Sequence, residues 1–246
     1  AEGKAPFRIY VLEGYGGVGK TFLTSKILDW LLYAKKLVVG VSAPTNKAVD
    51  VVREMSEVAD PKLIFATLHK FLALKENYDG FGRLYFTPDN NESPSIEKLD
   101  ILFVDEVSQL DHKLFEYVNV YVDRGLKVIF IGDPAQIPPI NRIDCIPFMP
   151  SMRKKYNMEI GTLTKIRRQA EGNPILMLAT KIREDLEASK IDFDYKTDVK
   201  DGAGIVMLSR DERAINHKIC DIYFANNRFE EYSDYMKVIA YHNAAV

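Results

Sequence analysis

Two textures alternate along the chain. Short continuous apolar runs, such as Ile9-Tyr10-Val11-Leu12, Leu37-Val38-Val39-Gly40-Val41 and Leu63-Ile64-Phe65-Ala66, precede longer stretches with apolar residues every three or four positions. A continuous apolar run suits a strand buried on both faces, as in a parallel sheet, and the longer spacing suits an amphipathic helix. The pattern predicts strands over 7–13, 37–41, 63–66, 101–104 and 126–132. It predicts helices over 20–34, from 45 or 46 to about 57, and over 114–122. Strand–helix alternation of this kind implies an α/β fold, a parallel sheet flanked by helices.

Two stretches break the rhythm. Tyr78-Asp79-Gly80-Phe81-Gly82-Arg83-Leu84-Tyr85-Phe86 sets turn residues between aromatic positions, which predicts a small β-hairpin inserted at about 75–98. Whether its aromatics serve a surface insertion or a separate task, the residues leave open. Residues 141–157 hold prolines and Met152-Arg153-Lys154-Lys155 without a period, and read as a linker. Beyond it the pattern predicts helices over 175–188 and 212–226 and strands over 205–208 and 237–241. The expected division is a first domain over 1–158 and an incomplete second α/β domain over 159–246, whose two or three strands make a thin sheet.

Composition narrows the class. With 246 residues, 47% hydrophobic and 28% charged, the chain is an ordinary globular one, neither fibrous nor disordered. No run approaches the ~18 apolar residues of a membrane span and no charged-then-apolar leader opens the chain, so no membrane association is expected. Cys145 and Cys220 lie far apart without ligand spacing, and read as buried thiols of a reducing compartment. The formal net charge of −2 lacks the basic excess of a duplex-DNA binder, so any nucleic-acid contact must come from a local groove.

The chemistry concentrates at the C-terminal ends of the expected strands, where α/β sheets bind ligands. Gly14, Tyr15, Gly16, Gly17, Val18, Gly19, Lys20 and Thr21 fit G-x-x-x-x-G-K-[ST] between a strand and a helix N-terminus. Glycines let the backbone aim its N–H groups at anionic oxygens, and the helix dipole adds partial positive charge. Lys20 would reach the β- and γ-phosphates of a nucleotide and the Thr21 hydroxyl would bind Mg²⁺. Asp105 and Glu106 follow the apolar run Ile101-Leu102-Phe103-Val104. There an aspartate suits Mg²⁺, and a glutamate suits deprotonation of an attacking water. Gln136, in Gly132-Asp133-Pro134-Ala135-Gln136-Ile137-Pro138-Pro139, would project near the same edge, where a neutral amide can donate to a γ-phosphate. Pro44, Thr45 and Asn46 form either a capped strand-to-helix connection or a ligand-facing edge, and His69 either a structural or a functional histidine.

Taken in order, these motifs resemble superfamily 1 DNA helicases of the 5′→3′ class, especially phage-type Dda and RecD-like helicases. The resemblance also takes in Ala43-Pro44-Thr45-Asn46-Lys47-Ala48, Thr67-Leu68-His69, Val104-Asp105-Glu106-Val107-Ser108, and Leu163-Thr164 to Arg168. It implies a P-loop NTPase of RecA-like fold with a hairpin insertion and part of a second RecA-like domain. It implies ATP and Mg²⁺ as cofactors, and single-stranded and fork DNA as partners. Lys20, Asp105, Glu106, Gln136 and Arg168 become the catalytic set, Arg168 as an arginine finger with Arg167 as its neighbour. Pro44, Thr45, Asn46, Thr67 and His69 become DNA contacts, with Tyr85 and Phe86 on the hairpin as a duplex-splitting wedge, and Tyr241 and Asn243 facing the track.

By the same likeness the protein is a monomeric ATP-dependent translocase acting wherever the DNA is, in the cytoplasm of a bacterial or phage-infected cell, alongside replication or recombination proteins. The pattern departs from the family at both ends. No adenine-reading glutamine precedes Gly14, and the late motifs would lie beyond Val246. Weak or no unwinding is therefore expected of this chain. A P-loop ATPase that remodels or signals to protein partners without DNA is the competing reading.

Overall fold

A computed structural model describes residues 7–55, 60–139, 144–164, 174–188, 190, 198–200, 203–205 and 217. The chain divides into two compact units, Ala1–Gln169 and Ala170–Val246. In the first unit β1 (Ile9–Gly14) leads through the glycine-rich loop into α1 (Lys20–Tyr33), followed by β2 (Val39–Ser42), α2 (Asn46–Met55), β3 (Leu63–Phe65) and the short α3 (Leu68–Phe71). The hairpin strands β4 (Leu74–Tyr78) and β5 (Leu84–Pro88) come next. Then β6 (Ile101–Val104), α4 (His112–Asp123), β7 (Lys127–Gly132), α5 (Pro150–Lys155) and β8 (Met158–Leu163) complete the unit. Six strands form one sheet in the order β3-β2-β6-β7-β1-β8, and every neighbouring pair is parallel. The expected α/β class, with helices flanking a parallel sheet, is what the structure has.

Alternation along the strands assigns the two faces. Ile101 and Phe103 of β6 pack with Leu28, Leu31 and Leu32 of α1 and Val52 of α2. Leu102 and Val104 point the other way, into a cluster with Phe71 of α3 and Phe115 and Val118 of α4. On that second face a Cβ at Gly40 would sit 2.4 Å from Leu99 Cδ1 and 3.1 Å from Phe71 Cζ, so a larger residue there would displace the Leu99 and Phe71 side chains packed over β2. Three helices start on side-chain caps: Thr45 Oγ1 accepts from Ala48 N at 3.2 Å, Thr67 from Lys70 N at 3.4 Å, and Asp111 Oδ1 from Leu114 N at 2.8 Å. Helix α1 has no such cap: Gly19 precedes it at φ 93°, which leaves its first N–H groups for an anion.

Two expectations shift. The linker read over 141–157 contains a 3-10 turn (Ile146–Phe148) and α5, and a strand starts directly after it at Met158. That strand, β8, pairs with β1 along its length, within the compact unit Ala1–Gln169. Helix α4 begins at His112, earlier than the apolar spacing suggested, because Asp111 caps it. In the second unit α6 (Pro174–Glu187) precedes an antiparallel pair, β9 (Asp198–Lys200) and β10 (Ala203–Ile205). The strand expected over 205–208 thus meets the described residues only at Ile205. The helix expected over 212–226 lies outside them apart from His217, the strand over 237–241 lies wholly outside, and so does Cys220.

Candidate functional site

The site begins where β1 ends. A Cβ at Gly14 would lie 2.7 Å from the Leu163 carbonyl oxygen and 2.8 Å from Val18 Cγ2. The first glycine of the loop is therefore needed by the edge strand β8, whatever the loop binds. Gly17 and Gly19 have φ of 82° and 93°, in the left-handed region that glycine occupies without strain. Lys20 Nζ donates to the carbonyls of Gly14 at 2.6 Å and Tyr15 at 3.0 Å, so its ammonium group lies inside the curl of its own loop. Asp133, 6% exposed, staples this loop to the one after β7: its carboxylate accepts from Gly16 N at 3.2 Å and from Ala135 N at 2.9 Å.

Glu13, just before the loop, accepts from Thr162 Oγ1 of β8 at 3.0 Å and pairs with the Arg153 guanidinium of α5. Arg153 Nε also donates to the Pro147 carbonyl at 2.7 Å. These bonds hold α5 and β8 against the strand that feeds the phosphate loop.

Asp105 and Glu106 stand at the end of β6. Asp105 N donates to the Ser42 carbonyl at 2.8 Å, and Glu106 N to Asp105 Oδ1 at 2.9 Å. Burial pushes the Asp105 carboxyl up from the ordinary carboxylate range, against the opposing pull of the Glu106 N–H and the Lys20 charge. Glu106 stays open to solvent, yet the desolvation it has, followed by the charge of Asp105, raises it too. Its backbone is left-handed, φ 49° and ψ 40°, which costs a non-glycine residue about 1–2 kcal/mol. The turn beyond it holds that conformation: Gln109 N donates to the Glu106 carbonyl at 3.3 Å and Leu110 N to Val107 at 2.9 Å.

Thr21 and Asp105 line one small pocket between α1 and the sheet. A carboxylate kept partly desolvated beside a free-standing hydroxyl is a donor set of hard oxygens, and it fits Mg²⁺ held jointly with nucleotide phosphates. Gln136 lies exposed on the loop after β7, with its Oε1 accepting from Ser108 Oγ at 3.0 Å.

Behind the carboxylate pair opens a cavity of about 260 Å³, with Pro44, Thr45, His69, Phe86, Asp105 and Glu106 in its wall. The His69 ring packs against Phe86 with centroids 4.1 Å apart and planes tilted by 47°, and burial lowers its pKa against the raising influence of Asp111 and Glu76. Lys113 Nζ donates to the Phe86 carbonyl at 3.1 Å and lies 6.0 Å from the Tyr85 ring. The hairpin is thus rooted on α3 and α4 beside the carboxylates. Its tip carries Phe81, 84% exposed, on a turn in which Asp79 Oδ1 accepts from Phe81 N and Arg83 N, with Gly82 at φ 74°.

The structure therefore gathers the loop Gly14 to Thr21 with Asp105, Glu106 and Gln136 at one sheet edge, and joins Pro44, Thr45, His69 and Phe86 to it through the cavity. Asn46 opens α2 nearby, and Thr67 serves as the cap of α3. Arg167, Arg168, Tyr241 and Asn243 lie outside the described residues. Sequence reasoning gave no role to Asp133, to the Glu13–Arg153 pair or to Ser108. Only Asp133 carried a signal, a carboxylate wedged between Gly132 and Pro134.

Comparison with known proteins decides the family: the AAA domain matches residues 4–199. The chain belongs to the AAA domain family. It is 31% identical over 175 residues to the ATP-dependent RecD2 DNA helicase of Deinococcus radiodurans, covering 71% of this chain and 22% of that protein. It is 28% identical over 194 residues to the ATP-dependent DNA helicase dda of Enterobacteria phage T4, covering 79% of this chain and 40% of that one. Its fold is similar to that of the Pif1 helicase from Candida albicans, with 19% identity and a TM-score of 0.52 over 89% of this chain and 52% of that one. The expected resemblance to superfamily 1 helicases of the Dda and RecD kind is borne out. The chain spans well under half the length of these two curated relatives.

Proposed function

We propose that the chain forms the ATP-hydrolysing part of a DNA helicase motor that moves 5′→3′ on single-stranded DNA and opens duplex at a fork. The observation that carries this reading is the shared cavity: the carboxylates that would face ATP and the residues that would face DNA are walls of one space. A change at one side has a short mechanical route to the other. The direction of movement follows the resemblance read from the motifs.

In this mechanism the α1 N-terminus and loop N–H groups hold the phosphates, and Lys20 exchanges its two carbonyl partners for phosphate oxygens. Thr21 and Asp105 would hold Mg²⁺, which would supply charge neutralisation to the phosphates. Glu106 accepts a proton from the attacking water, a task suited to a carboxylate whose pKa lies above the ordinary range. Gln136 senses the γ-phosphate and Arg168 is the finger, whose removal costs on the order of 10³-fold in rate. Pro44, Thr45, Asn46, Thr67 and His69 meet the strand, and the hairpin with Tyr85 and Phe86 meets the fork.

ATP turnover measured with and without oligo-dT tests this. Stimulation of at least about tenfold is expected for a nucleic-acid-driven motor, in line with the large effects of completing a phosphoryl-transfer site. Turnover indifferent to DNA would overturn it in favour of an ATPase that acts on protein partners.

A further inference from the structure

Ser108 lies two residues beyond Glu106 and is 2% exposed. Its neighbours in the turn, Val107 and Leu110, belong to the apolar cluster beneath α4. A hydroxyl in such surroundings costs free energy unless it is bonded. Its bond runs outward, from Oγ to the Oε1 of Gln136 at 3.0 Å, across 28 residues of sequence. Gln136 itself is exposed, and a long exposed amide would otherwise sample several rotamers. An amide whose oxygen is engaged by a fixed, buried donor has its NH₂ group directed away from that donor.

The loop bearing Gln136 is held at both ends. At one end Asp133 accepts from Ala135 N and Gly16 N, and the Asp133 carbonyl accepts from Gln136 N at 3.2 Å. At the other, the side chain meets Ser108. The Ser108 turn also carries the bond from Gln109 N that keeps Glu106 left-handed. One rigid turn therefore sets both the carboxylate and the amide.

We propose that Ser108 is a positioning residue, which presents the Gln136 NH₂ group to the γ-phosphate of bound ATP and locks it to the turn that bears Glu106. This rests on Gln136 sensing the γ-phosphate. Ser108 touches no nucleotide atom and acts only through the amide. Without its hydroxyl the glutamine remains in place but no longer prefers the orientation that tells triphosphate from diphosphate.

The test is equilibrium binding of ADP and of a non-hydrolysable ATP analogue to the chain and to Ser108→Ala, Gln136→Ala and the double variant, with Mg²⁺ and without DNA. Ser108→Ala should lower the preference for the triphosphate about fivefold, the worth of one oriented hydrogen bond. Gln136→Ala should do the same, the double variant should lose no more than either single one, and ADP affinity should stay within about twofold throughout. An unchanged preference in Ser108→Ala beside a lost one in Gln136→Ala overturns the proposal, as do losses that multiply in the double variant. Loss of ADP binding in Ser108→Ala would reveal a general structural role, and overturns it as well. If Gln136→Ala also keeps the preference, the sensor reading falls with it. The measurement stands apart from DNA-stimulated turnover, so failure of the motor reading would leave it intact.

Discussion

Asp105 shows how a single residue trades stability for chemistry. Its carboxyl is raised mainly by burial, and the Glu106 N–H and Lys20 only partly offset that. A carboxyl whose folded pKa exceeds the unfolded value stabilises the fold fully below the unfolded pKa, and that contribution disappears as pH rises through the folded one. At any pH above that raised pKa the nucleotide-free chain therefore carries an ionised carboxylate it has not fully compensated. Asp105→Asn removes that charge and keeps the shape. Thermal unfolding at neutral pH should show the variant stabilised by about 1 kcal/mol, or about 2–4 °C in midpoint, while ATP hydrolysis is lost. The advantage should shrink as pH falls towards the ordinary carboxylate range, where the native aspartate is itself protonated. A variant no more stable at neutral pH than at acid pH would mean that the desolvation cost is met by groups other than the two named.

Among the elements, the hairpin separates most clearly into parts with different duties. Its root is packed: Phe86 lies against the His69 ring and its carbonyl is held by Lys113. Its tip is not: Phe81 is 84% exposed on a turn stiffened by Asp79. Of the two aromatics taken as the wedge, Tyr85 is 43% exposed, whereas Phe86 belongs to the wall of the cavity. Phe81→Ala should accordingly leave the midpoint of unfolding and oligo-dT-stimulated turnover unchanged while weakening the binding of a forked duplex about tenfold, the worth of one lost base–aromatic stack. Phe86→Ala should lower both turnover and stability, since it removes a packed ring. Forked-duplex affinity beside turnover on oligo-dT distinguishes the two.

The turn residues made this hairpin legible from sequence, as the continuous apolar runs did for β1, β2, β6 and β7. By contrast β8 buries one of its six residues and α5 none, so neither has a hydrophobic period to read. The same limit applies inside the site. The phosphate loop and the carboxylate pair are contiguous in sequence and could be placed by spacing. The Ser108–Gln136 bond, the Asp133 staple and the left-handed Glu106 exist only once distant segments meet.

At the scale of the whole molecule the question is how a chain with formal net charge −2 would hold a polyanion. The cavity wall offers Pro44, Thr45, His69 and Phe86 beside the carboxylates Asp105, Glu106 and Asp111, with no lysine or arginine among the described residues that line it. His69 adds no charge at neutral pH, because burial lowers its pKa. Binding through such a surface must depend on stacking and shape, at ~1–3 kcal/mol per stacked base, more than on counterion release. For single strands the logarithm of the binding constant falls with the logarithm of salt with a slope of about −0.7 per phosphate neutralised. The affinity for oligo-dT, followed by fluorescence anisotropy across salt concentrations, should therefore show a slope shallower than about −2, equivalent to fewer than about three phosphates. A slope steeper than about −4 would place the strand on a basic groove elsewhere in the molecule. It would also remove the cavity's role as the link between DNA and the carboxylate pair. The His69 titration supplies an internal control: binding should tighten as pH falls through its lowered pKa, and a His69→Gln variant should lose that pH dependence while keeping the shallow slope.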